Sequence, residues 1–588
     1  MRLTCLFALL AVAGVGGTTF AADKSPLKIA NFTLQDFRGK EHSLSRRGDA
    51  RLVVVAFLGT ECPLAKHYGA RLARLAKEYE AKGVAFLGID SNAQDSVTAM
   101  AAYARLHDIA FPLLKDVGNK IADRFGAMRT PTVYLLDKDR VVRYQGRIDD
   151  QYGIGYQRDK PRSQDLVNAI NDLLAGKAVS RAATKAEGCI IGRVRPAQAA
   201  SPVTYSKHIA PIFNRRCVEC HRQGEIAPFE LTSHAQASGW AAMIAEVVEE
   251  GRMPPWHADP RHGKFVNDRR LSAAEKKLIL EWAAAGAPEG DPRDLPSPPT
   301  FPQTGWQLPR KPDVVVPIRS TPVNVPATGA VRYQYFFADP GFKEDKWIEA
   351  VEVQPGNRAV VHHILVFALP EKGGRAAAAA LGGGVQGFLA GYVPGLRPIP
   401  YPPGMAKRVA AGSKLIFQVH YTPNGSPQTD LSKVAFLFTD PARITHEVKT
   451  ISAANRRGLS IPPGAANHKV EATRRIADDA LLLGFMPHMH VRGKSFFYEA
   501  ITADGKKETL LDVPNFDFNW QTAYRLATPR KLAAGDRVHC IAAYDNSAGN
   551  LSNPDPTKTV RWGDQTWNEM MIGYFDIAVA RGKEKEQP

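Results

Sequence analysis

Three sets of residues in this chain have the types and spacing to do chemistry. Cys217-Val218-Glu219-Cys220-His221 places two thiols where they form thioethers with porphyrin vinyl groups and a histidine where it binds the iron, so the run reads as a covalent haem c site. A redox or zinc Cys-x-x-Cys is the alternative, but zinc would need a second ligand pair at matching spacing, which the sequence does not supply. Met253, in the rigid run Arg252-Met253-Pro254-Pro255-Trp256, is the candidate second axial ligand, with His257 and His262 as competitors.

The second set is histidine-rich: His362-His363, then His420 in Phe417-Gln418-Val419-His420-Tyr421, then His488-Met489-His490. Residues i and i+2 of a strand share a face, so His488 and His490 can grip one ion. Adjacent His362 and His363 converge only where a bulge bends the strand. Imidazoles suit copper, zinc and iron, whereas a thioether selects soft Cu(I), and Met570 in Trp567-Asn568-Glu569-Met570 is a plausible donor. Singly, such histidines are usually surface or hydrogen-bonded core residues; their order along the chain gives them weight.

That order, ending in His-x-His-x-x-Gly-Lys (His488 to Lys494) and Glu-Met, resembles the copper type II, ascorbate-dependent monooxygenases, the family of peptidylglycine α-hydroxylating monooxygenase and dopamine β-hydroxylase. The resemblance covers roughly residues 313 to 585. It implies two all-β sandwich (jelly-roll) halves with one copper each: His362, His363 and His420 on the electron-storing copper, and His488, His490 and Met570 on the oxygen-binding copper. It also implies hydroxylation of a C–H bond with O2 and two electrons, and a substrate cleft that includes Tyr574. Met486 and Ile572 stand where the peptide-amidating members carry an arginine and an asparagine, so a peptide carboxylate is not the expected substrate.

The third set is thiol-based. Phe57-Leu58-Gly59-Thr60-Glu61-Cys62-Pro63 puts Cys62 between an apolar strand and a helix N-terminus, which favours thiolate. With Thr130-Pro131-Thr132 ahead of the strand Val133 to Leu136, residues 26 to 175 resemble the thioredoxin-like redoxins of AhpC/TSA type. Ala65 stands where a Cys-x-x-Cys dithiol would have its second cysteine, and the peroxidase pattern around Thr60 is incomplete. Cys189 is the candidate disulfide partner of Cys62, either in a catalytic cycle or as a staple between linker and domain.

Positioning these groups takes several domains, as 588 residues require at ~150 residues each. Residues 26 to 175 alternate strand and helix patterns, an α/β domain. Residues 176 to 203 form a linker carrying Cys189, and 204 to 287 form an all-α haem domain whose flanking helices resemble a class I cytochrome c. A proline-rich linker follows at 288 to 312, then two sandwiches at 313 to 455 and 456 to 585, marked by short β runs separated by Gly, Pro and Asn turns. Residues 1 to 21, with Arg2 and an apolar run from Leu6 to Val15, read as a cleaved secretory signal, giving a periplasmic or secreted protein with no transmembrane segment in the mature chain.

The composition is that of a soluble globular chain, and the net charge of +17 is scattered, with no nucleic-acid motif. The expected enzyme is a copper-dependent monooxygenase acting on a small molecule and O2, supplied with electrons by the fused haem, an ascorbate-like reductant or a redox protein. The alternatives are an electron-transfer or redox-sensing protein and a thiol peroxidase with appended carriers.

Overall fold

The computed structural model describes residues 27–581 apart from 194–195, 199–200, 303–304, 328, 330 and 370–386. The expected signal segment lies outside the described residues. Among those described, no helix is long and apolar enough to cross a membrane.

The Val-rich strand Leu52–Phe57 is buried at every position, as a strand covered on both faces must be. It lies parallel to Val84–Asp90 and antiparallel to Thr132–Leu136 in a seven-stranded sheet. Cys62 caps the helix Pro63–Glu80, whose proline fills the first turn, where a missing N–H costs nothing. The stretch expected to be linker contributes structure of its own. Strand Cys189–Ile190 pairs with Arg129–Thr130, and Ile191 is buried in the redoxin core.

The helical segment consists of Tyr205–Ile209, Ala210–Arg216, His234–Ser238, Ala241–Glu249 and Ala273–Ala284. The last begins with a full capping box between Ser272 and Glu275. Its fully buried Trp282 packs against Tyr205 and Phe213, and one continuous apolar cluster joins these helices to the redoxin helix Pro63–Glu80. The segment is not self-contained, because Trp256, Ala258 and Phe265 sit in the core of the C-terminal sandwich. There Phe265 bridges to Leu526, and Val266 and Ala527 exchange backbone hydrogen bonds with Arg525 and Lys264.

The C-terminal half is β-structure throughout, but its two sandwiches are not merely side by side. Strand Met405–Val409 pairs in parallel with His446–Ala454, fusing both halves into one eight-stranded sheet. His446–Ala454, on the N-terminal side of the expected boundary at 455, pairs along its length with Ile572–Ala580. Four-stranded sheets back each half: one contains Val361–Leu369, Phe388–Tyr392 and Lys414–Tyr421, the other Gly493–Ile501 and Arg537–Tyr544.

Candidate functional site

Strand Val361–Leu369 pairs with Lys414–Tyr421, and the register slips between Val361 and His363, so that His363 stands opposite His420 and His362 is the extra residue. This is the bulge that adjacent histidines need to converge. One potential ligand atom from each of His362, His363 and His420 lies within 4.8 Å of the others. The Nδ1 atoms of His362 and His363 are 3.5 Å apart. His362 Nε2, His363 Nε2 and His420 Nδ1 are buried with no hydrogen-bond partner among the described residues. Three imidazoles whose ligand atoms cluster this closely fit a metal ion, and buried ring nitrogens left without a partner are costly. Burial is the first cause that lowers all three pKa values, to about 4 for His362.

His488 ends the strand Ala480–His488, and His490 lies just beyond it, with ring centroids 5.3 Å apart. His488 Nδ1 is 2.6 Å from Gln521 Oε1, and His490 Nδ1 is 3.3 Å from the Asn568 carbonyl. Both contacts call for N–H at Nδ1, which leaves Nε2 free to ligate. His490 Nε2 is buried and unpartnered. Met570 is buried beside Met486, Ile572 and Tyr574, and the Tyr574 ring is 6.3 Å from that of His488.

Glu569 holds this corner together. Its fully buried carboxylate accepts the backbone N–H groups of His490 at 2.8 Å, Arg492 at 2.7 Å and Met570 at 3.3 Å. Burial pushes its pKa up to about 7, against these donors. The two histidine groups form one chamber: the Phe518 ring stacks on His362 at 4.8 Å and meets His490 at 6.1 Å. The Tyr333 ring lies 5.0 Å from His363 and 4.7 Å from His420. Sequence reasoning missed Phe518, Gln521, Tyr333 and the role of Glu569; the aromatic density of Phe516-Asp517-Phe518-Asn519-Trp520 was the available signal.

Cys217 and Cys220 follow the helix Ala210–Arg216 as free thiols, and His221 Nδ1 lies 2.9 Å from the Phe229 carbonyl. That contact orients the ring with Nε2 free, as an axial ligand requires. The Phe229 ring, stacked on Trp240 at 4.2 Å, walls one side of His221. Met253 is half-buried, tied by its N–H to the Val247 carbonyl, and no described contact joins it to His221. Of its competitors, His257 lies against the C-terminal sandwich, its pKa lowered by burial, and His262 is tied by its backbone to Asp259. The motif's edge faces the first sandwich, where Arg397 pairs with Glu219 and donates to its carbonyl, and Gln307 donates to Glu225 at 3.2 Å.

Cys62 and Cys189 are buried side by side as free thiols, and the Cys62 thiol donates to the Thr130 carbonyl at 3.0 Å. Cys189 reaches Cys62 because its strand runs along the Thr130-Pro131 loop, a cis peptide. Gly188, with φ 134°, permits that approach, since a Cβ there would stand 2.0 Å from the Thr130 carbonyl oxygen. Burial alone would raise the Cys62 pKa, but hydrogen bonding, first from the Cys189 thiol, brings it down to about 6. Cys189 moves the opposite way, raised by its bond to Cys62 and by burial. Such an asymmetric pair suits thiol–disulfide exchange.

Residues 27–145 match the AhpC/TSA family model. Thiol-disulfide oxidoreductase ResA of Bacillus anthracis is 30% identical over 142 residues, 23% of this chain and 80% of that protein. Chloroplastic peroxiredoxin Q of Triticum aestivum is 31% identical over 121 residues, 19% of this chain and 54% of that one. A crystal structure of a hypothetical protein from Sinorhizobium meliloti 1021 is 29% identical, covering 29% of this chain and 94% of that one, with a TM-score of 0.27. Through its N-terminal domain, with an α/β sheet and a helix that starts after Cys62, this chain belongs to the AhpC/TSA family of thioredoxin-like redox proteins.

Proposed function

We propose that this chain is an exported, multidomain oxidoreductase whose C-terminal half is a copper-dependent monooxygenase for a small organic substrate. The observation that carries this reading is the chamber of five buried or half-buried histidines, three of them with ligand atoms within 4.8 Å of one another and four with a buried ring nitrogen that has no partner among the described residues. His362, His363 and His420 would hold one copper; His488, His490 and Met570 would hold the other. Copper bound there supplies one-electron redox chemistry and activates O2. The chain's own contribution is to fix the imidazoles: Gln521 and Asn568 set the tautomers, Glu569 locks the backbone, and Phe518 with Tyr574 keeps the chamber apolar and dry. Cys217, Cys220 and His221 would carry haem c, with Met253 as second axial ligand, and the contact of that motif with the first sandwich supports electron delivery from haem to copper.

The redoxin domain adds thiol–disulfide exchange through Cys62 and Cys189 instead of Cys-x-x-Cys. The test is metal analysis and oxygen uptake on haem-loaded protein matured in a periplasm. Two coppers per chain and reductant-dependent O2 consumption that His488→Ala abolishes are expected. Protein that takes up no copper, or takes it up with all five histidines changed to alanine, overturns the oxygenase reading and leaves an electron-transfer protein fused to a redoxin.

A further inference from the structure

A cavity of about 140 Å³ lies where the two sandwiches meet. Phe388, on the first sandwich, and Met486 and Tyr574, on the second, form an apolar lining, and Lys407, Arg525 and Asp576 are charged groups on the same wall, with Lys407 Nζ 5.3 Å over the Phe388 ring. The apolar lining adjoins the second histidine pair: Phe388 stacks on Tyr574 at 5.9 Å, and the Tyr574 ring is 6.3 Å from His488. Met486 and His488 are two residues apart on one strand and share a face. Gly484, two residues further back on that face, pairs with Arg525. A Cβ at 484 would meet the Tyr524 carbonyl at 2.6 Å, so the glycine lets Arg525's strand close in.

Charge in this cavity does not balance. Lys407, 5% exposed, donates to the Leu389 carbonyl at 3.0 Å and to Thr450 Oγ1 at 2.7 Å, and lies 3.8 Å from Asp576. Arg525 Nη2 stands 3.6 Å from the same Asp576, its guanidinium lies 4.9 Å over the Tyr401 ring, and its Nη1 is buried without a hydrogen-bond partner among the described residues. Two cations thus share one carboxylate, and one buried guanidinium donor is left without a hydrogen-bond partner among the described residues. Burying an uncompensated charge is costly unless an anion completes it, and a guanidinium fork fits a carboxylate well.

We propose that this cavity binds a small organic acid, its carboxylate on Arg525 within the positive field of Lys407 and its apolar body between Phe388, Met486 and Tyr574, directed at His488. The sequence puts methionine at 486, and the neighbouring strand supplies the cation instead. This names a substrate class for the proposed oxygenase and rests on that reading only for the direction toward His488; anion binding itself requires no copper.

The experiment is calorimetric titration of haem-loaded, copper-free full-length protein with a series of aryl- and alkyl-carboxylates, each against its neutral amide. The expected result is an acid in the series that binds about tenfold or more tighter than its amide, as one charge-assisted hydrogen bond provides. Arg525→Gln removes the preference and Arg525→Lys keeps part of it, with thermal unfolding showing that both variants fold. Acids that bind no tighter than their amides to the wild-type chain, or a preference that survives Arg525→Gln, overturn the proposal. Failure of copper uptake or oxygen consumption would sink the oxygenase reading and leave this measurement standing.

Discussion

His362, His363 and His420 are brought together by backbone: a bulge in one strand and a register opposite its neighbour place all three, and the rings around them, Tyr333 and Phe518, offer no hydrogen bond to orient them. His488 and His490 sit where a strand gives out, and they are held by Gln521, the Asn568 carbonyl and the Glu569 carboxylate. Candidate ligands set by sheet register need little outside help, because moving them means breaking the ladder. Ligands at a strand end need polar partners from elsewhere in the fold. The two sites should therefore fail in different ways.

The largest separation is expected at Glu569. Glu569→Leu strands three backbone N–H groups at about 1–3 kcal/mol each. The C-terminal sandwich should lose at least about 3 kcal/mol of stability in urea unfolding, and the chain one of the two coppers proposed for it, with the first proposed site still loaded. Wild-type stability in this variant would show that the carboxylate does not organise the second site. Next come single ligand removals. His420→Ala and His488→Ala should each drop copper from two to one per chain, and simultaneous loss of both from either change would mean that the sites are one unit. Gln521→Leu should do less, weakening copper at the second site about 10- to 100-fold and leaving the first unchanged in competition titrations, as expected for a partner that only orients a ligand.

How much of this was legible in the sequence follows the same division. The strand Lys414–Tyr421, the need for a bulge if His362 and His363 are to converge, and Cys189 as a neighbour of Cys62 could be read because local pattern and residue type carry them. The helix that begins at Pro63, directly after Cys62, was legible too, because proline in a first turn leaves no N–H unsatisfied. Gln521, Phe518 and Glu569 were not legible, since each acts across the fold on a residue tens of positions away. The docking of Trp256 and Phe265 into the distant sandwich was hidden for the same reason, inside what reads as a helical domain.

Acid should sharpen the comparison in protein without metal. Burial lowers the pKa of all five imidazoles below 6.5: to about 4 for His362 and His488, to about 3 for His490, and well below the ordinary value for His363 and His420. Between pH 6.5 and 4 the unfolded chain therefore binds protons that the folded chain refuses, so stability must fall as pH falls through that window. Glu569 has the opposite sign: its pKa, raised from 4.5 to about 7, contributes stability at low pH that is lost as pH rises through 7, which makes the net slope shallower than the histidines alone would give. Urea unfolding at a series of pH values should show that alanine at His362, His363 and His420 flattens the slope more than alanine at His488 and His490, three refused protons against two. Equal slopes in wild type and both variants would mean that the chamber admits water and that its imidazoles titrate as exposed ones do.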